Sequence, residues 1–277
     1  MSTFSGAAAI AGIGATEFSK ASGRSELQLS AEATLAALAD AGLTTADVDG
    51  LTTFTMDTSS EIALARELGM GDLRFFSRIN YGGGAACATV QQAAMAVATG
   101  VADVVVAYRG FNERSGQRFG QVSSAAATQA NTNGLDNAWS YPYGLSTPAA
   151  TVAMQARRYM HEYGATSADF GAVAVADRRH AANNPAAFFY EKPITLEDHQ
   201  SSRMIADPLR LLDCCQESDG GVAIVVTSTE RARDLKAGAV PIVAAAQGSA
   251  PDQFVMTSYF RDDLGVPEMG VVGRELW

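Results

Sequence analysis

The sequence predicts an α/β layered fold with a largely internal sheet, and three observations point there. Short apolar runs alternate with segments of helical periodicity along most of the 277 residues, the order expected when helices cover both faces of a sheet. The hydrophobic fraction is 47% and the charged fraction 18%, which suits a packed core and excludes wholesale disorder. Aromatic residues make up only 8%, whereas Ala and Gly are abundant, so helices and strands can approach closely.

Residues 7–14 (AAAIAGIG) read as a buried strand ended by glycine. A helix follows over 24–41. Ser25 and Gln28 have the spacing of a capping box, Leu27, Ala31, Leu35, Leu38 and Ala39 repeat at helical intervals, and Gly42 is placed to close it. Residues 48–55 (VDGLTTFT) form a short strand candidate. Residues 61–68 form a short helix stopped by Gly69. The run NYGGG at 80–84 is a glycine-rich turn, followed by a helix over 85–99 (AACATVQQAAMAVAT). That helix carries no charge and is rich in Ala, so it is expected to be buried between layers with contacts on all sides. Residues 103–108 (DVVVAY) are a buried strand.

From 110 to 148 Asn, Ser, Gly, Gln and Thr dominate and no period survives. So long an irregular stretch in a compact domain points to a functional loop or lid. Helices follow over 147–163, with Pro148 in the first turn, and over 170–183, stopped by Asn184-Pro185. Residues 221–227 (GVAIVVT) are a buried strand, 228–235 a helix capped by Ser228 or Thr229, and 240–246 (VPIVAAA) another strand.

The net charge of −10 argues against nucleic acid, whose binding needs a basic face, and against an anionic membrane surface. Cys87, Cys214 and Cys215 make no disulfide framework, and a reducing cytoplasm is the expected compartment. The N-terminal MSTFSGAAAIAG has no basic stretch ahead of an apolar run and reads as no signal peptide. No window of about 20 residues is free of polar groups, so no membrane span is expected. His161, His180 and His199 share no short motif, and neither a metal nor a cofactor is expected.

Gly12-Ile-Gly14 follows a strand, but residue 17 is Glu where a dinucleotide fingerprint has its third glycine. A strand-end turn is the better reading. Gly82, Gly83 and Gly84 stand directly before a long helix. They either form a tight strand–helix turn or let backbone N–H donors approach an anion or a developing enolate oxygen. Asp219-Gly220-Gly221 reads as a turn before a strand. All three cysteines are expected to be small core residues, and His180, near a helix end, to be structural. No G-x-S-x-G supports a hydrolase elbow.

Several blocks, in order, resemble the thiolase superfamily, and within it the sterol-carrier-protein-X type: AAIAGIGATEF, ALADAGLTTADVDGL, INYGGGAACATVQQAAMAVATGVADVVVAYRGFNERSG, STPAATVAMQARRYMHEYGAT, RRHAANNPAA and SRMIADPLRLLDCCQESDGGVAIVVTS. The resemblance implies a thiolase-like layered α-β-α fold. Its N-terminal half would be complete over 1–238, with a loop or lid region at about 110–210. A truncated C-terminal half would begin at 239–277. Active members place a nucleophilic cysteine at the start of the helix, and their pattern puts that position at Gly83, so an acyl-enzyme route is closed. The catalytic histidine and second cysteine of the C-terminal half are not expected before Trp277.

Glycine in that position resembles the thiolase-like aldol-lyases of steroid side-chain breakdown. The implied activity is retro-aldol cleavage of a steroid β-hydroxy acyl-CoA into a 17-keto steroid and propionyl-CoA. The implied partners are a second copy of the chain and an accessory protein with an OB-fold and a zinc ribbon. Pairing of the two copies is expected through the strand DVVVAY, whose edge would otherwise be open. The subgroup's tyrosine base is expected beyond residue 277. Within this sequence Tyr81, beside the glycine run, and Tyr143, in a segment matching the family's acyl pocket, are the polar candidates. Competing readings are a non-catalytic acyl-CoA-binding or scaffolding subunit and a conventional acyltransferase, which Gly83 opposes.

Overall fold

The computed structural model describes residues 5–54, 57–79, 85–116, 118, 140–235, 238–251, 261–262, 264 and 267–277. The chain divides into two compact units, one of Met1–Gln117, Ser218–Pro251 and Val266–Trp277, the other of Arg118–Glu217 and Asp252–Gly265.

The first unit is an α-β-α sandwich. Strands β1 (Ala8–Ala15), β2 (Gly50–Phe54), β3 (Phe75–Ile79) and β4 (Val104–Asn112) are followed much later by β7 (Asp219–Ser228) and β8 (Val240–Pro241). They form one sheet in the order β3-β2-β4-β7-β1-β8. β3, β2 and β4 run parallel, whereas β7 is antiparallel to both β4 and β1, and β8 is antiparallel to β1. Helix α1 (Glu26–Ala41) covers one face, where Ala33, Ala37 and Leu38 share a core with Leu51, Val104, Val106, Tyr108 and Val225. Helix α3 (Ala85–Ala98) covers the other, where Ala93, Ala94 and Val97 meet Val105 and Val226. Helices α2 (Glu61–Glu67), α7 (Thr229–Ala232) and α8 (Pro267–Leu276) complete the unit.

Local signals set most boundaries. The Ser25 side chain accepts from Gln28 N at 3.1 Å and starts α1. Gln28 turns its amide to Glu32 at 2.9 Å instead of returning to Ser25, so the expected reciprocal box does not form. Gly42, at φ 75°, ends the helix in the left-handed region, where glycine carries no Cβ penalty.

Several expectations are corrected. Helix α3 is buried on one face alone, because the sheet offers it a single surface: Ala88, Ala93 and Ala94 are inside, Cys87 and Met95 exposed. DVVVAY is no edge strand, since β4 lies between β2 and β7. The irregular stretch begins later than residue 110 because β4 continues to Asn112 against Asp219. Asp219, Gly220 and Gly221 form no turn and are the first residues of β7. The two glycines are required because a Cβ on Gly220 would strike the Phe18 ring and one on Gly221 the carbonyl of Leu29. Of the expected 240–246 strand, Val240 and Pro241 pair with β1 and Ile242 adds a bond to Ala8 O at 2.8 Å, while residues 243–246 do not continue it. Strand β3 was not read from the sequence: its run FFSRI alternates at a sheet edge and holds a charge.

In the second unit, helices α4 (Pro148–Tyr163), α5 (Ser167–Ala182) and α6 (Leu196–Ser201) accompany a two-stranded ribbon of β5 (Met204–Ala206) and β6 (Leu209–Arg210). Asp169 and Asp198 accept from the backbone N–H of Thr166 and Thr195 at the starts of α5 and α6, and these bonds hold both carboxyls below their ordinary range. His199 is fully buried, with Nε2 2.7 Å from Asp213 Oδ1. Its ring lies on Gly171 of α5, where a side chain would collide with it. Among the described residues no helix is long and apolar enough to cross a membrane.

Candidate active site

The parallel strands β3, β2 and β4 direct their carboxyl ends to one edge of the sheet, the place where open α/β sheets build ligand sites. The chain leaves β3 at Ile79 and enters α3 at Ala85. Tyr81, Gly82, Gly83 and Gly84, four of the sequence candidates, fall between these elements and outside the described residues. Tyr143 is described: it closes a single 3-10 turn, Tyr141–Tyr143, in the second unit and is 87% exposed.

Sequence reasoning missed a polar constellation at this edge of the first unit, split between the two faces of the sheet. On the α1/α2 face lies Asp57, 4% exposed. Its Oδ2 accepts from the Thr53 hydroxyl at 3.0 Å and its Oδ1 from Ser59 N at 2.8 Å. Burial pushes its carboxyl up, against these donors. Arg78, from β3, donates to both carboxylate oxygens of Glu61 at 3.3 Å and to the carbonyls of Asp57 and Ser59. The Tyr108 hydroxyl donates to Ser59 O at 3.0 Å. Burial, joined by the charges of Asp57 and Glu61, pushes that phenol well above its ordinary value, so it serves as a fixed donor and is unsuited to being a base. This group anchors the segment between β2 and α2 to the ends of β3 and β4.

On the α3 face lies Arg109. Its guanidinium stacks over the rings of Phe54 at 4.2 Å and Phe111 at 4.9 Å and donates to Phe54 O at 3.4 Å. The signal for these residues was present as charges set within or beside apolar strand runs, Arg78 in FFSRI and Arg109 after VVVAY.

The cysteines are not the core residues expected. Cys87 and Cys215 are exposed and Cys214 half-buried, because the first turn of α3 and the segment before β7 leave the packed faces. Burial and the neighbouring Asp213 push the Cys214 thiol up. His180 is exposed in the last turn of α5. Gly12 and Gly14 are packing glycines, since a methyl group on either would strike the backbone of α1.

The family model "Thiolase, N-terminal domain" matches residues 8–230. The chain is 73% identical over 274 residues to the 17-hydroxy-3-oxo-4-pregnene-20-carboxyl-CoA lyase of Mycobacterium tuberculosis, covering 99% of this chain and 71% of that protein. It is 67% identical over 278 residues to the steroid side-chain-cleaving aldolase of Thermomonospora curvata, covering 100% of this chain and 71% of that one. Among solved structures, a chain of the "Ltp2-ChsH2(DUF35) aldolase" superposes with a TM-score of 0.92 at 66% identity, covering 99% of this chain and 69% of its own. The sandwich, the family match over residues 8–230 and these identities agree: the chain belongs to the thiolase superfamily, among its thiolase-like carbon–carbon lyases.

Proposed function

We propose that the chain is the thiolase-like subunit of a steroid side-chain aldolase. Its substrate is a steroid acyl-CoA with a hydroxyl on the carbon beta to the thioester. The reading is carried by 73% identity, over 99% of the chain, to a protein named as a lyase of such a thioester. It is supported by glycine at position 83, where the acyltransferases it resembles carry their nucleophile.

The chemistry runs without a covalent intermediate. A base takes the proton of the β-hydroxyl, the freed oxygen pair forms the ketone, and the bond between the α and β carbons breaks. Its electrons pass to the thioester as an enolate, and a proton added at the α carbon releases propionyl-CoA beside the 17-keto steroid. The enolate oxygen needs fixed donors, which we assign to the backbone of Gly82, Gly83 and Gly84. Tyr81, beside that run, is kept as a candidate catalytic group. The reading includes a homodimer, a cytoplasmic setting in which the cysteines stay reduced, and an accessory subunit with an OB-fold and zinc ribbon. The similarity to one chain of a two-protein aldolase supports that subunit.

The test is to co-purify the protein with a co-expressed accessory protein of the OB-fold and zinc-ribbon type and supply a 17-hydroxy steroid acyl-CoA. Equimolar 17-keto steroid and propionyl-CoA, measured by mass spectrometry, are expected. Tight binding of the thioester without ketone release would instead make the chain a binding subunit.

A further inference from the structure

We draw no further inference here: the strongest candidate, the apolar surface of the sheet around Ile13 of β1 and Val222 of β7, which are 65% and 43% exposed on the face away from α1, carries nothing because nothing in the structure shows what covers it.

Discussion

The Asp219 carboxylate, fully buried, accepts from the backbone N–H groups of Ser22, Arg114 and Ser115, each at 2.9 Å. One side chain thus joins the start of β7 to the segment before α1 and to the turn after β4. Burial, the largest influence, raises its carboxyl, but the bonds together outweigh it and the group titrates below its ordinary value. A carboxyl lowered on folding stabilises above its unfolded pKa of about 3.9, and that contribution is lost as pH falls through the folded value. Asp219→Asn should cost about 2–3 kcal/mol in urea unfolding at pH 7, because an amide N–H replaces one charged acceptor. The penalty should shrink below about pH 4, where the wild type loses the same charge. Cys87 is the opposite case. Exposed and outside the proposed chemistry, it should tolerate Cys87→Ala within about 0.5 kcal/mol and with unchanged turnover. Lost turnover in a folded variant would reopen a covalent route. Gly83→Cys should form no acyl-enzyme on mixing with an acyl-CoA and should lower ketone release by about a hundredfold, if backbone donors at that position hold the enolate.

Helix α1 meets the sheet along a seam of missing side chains. A methyl group on Gly12 or Gly14 of β1 would enter the backbone of α1 at Ala33, Ala37 or Ala41, and one on Gly110 of β4 would strike Ser30 and the carbonyl of Glu26. The obstacles are mostly helix backbone, which cannot rotate away as a side chain can. Gly14→Ala should therefore destabilise by about 1–3 kcal/mol through overpacking, seen as a lower urea midpoint with unchanged slope. The same closeness explains why Gly12-Ile-Gly14 resembles the opening of a nucleotide fingerprint: both need a helix near a strand, and here the glycines serve packing alone. At the other end of the unit, Arg74 donates to Asp49 at 3.2 Å, Asp103 at 3.0 Å and Gly100 O at 2.8 Å, tying the starts of β3 and β4 together. The Arg74–Asp103 pair is exposed, so its contribution to stability is small.

At the scale of the molecule, among the described residues the sheet ends at the two-residue β8 on one side and at the longer β3, which pairs with β2 alone, on the other. Phe76 of β3 is 58% exposed, and an open parallel edge with an outward aromatic side chain favours pairing with another chain. The proposed homodimer is therefore expected at β3 and not at the internal β4. Sedimentation should give a dimer at micromolar concentration, and Phe76→Lys should shift it toward monomer. A wild type that stays monomeric there would remove the dimer from the proposal.

The sequence alone determined the alternation of most strands and helices, though not β3, β5, β6 or α6, together with the capped ends of α1 and of the helix at Pro148 and the superfamily, because caps, apolar periods and the blocks around NYGGG are local features. It also exposed Gly83, a single departure legible in one line of text. Tertiary structure decided the rest. Whether DVVVAY is an edge or a centre depends on which strands lie beside it, and those come from residues 50–54 and 219–228. Whether a cysteine is core depends on which face of its element meets another layer. Val106 and Phe76 are 30 positions apart in the sequence, yet both stand beside Leu51 because parallel strands align distant residues by register. No periodicity within either segment encodes that alignment; it exists only once the strands have paired.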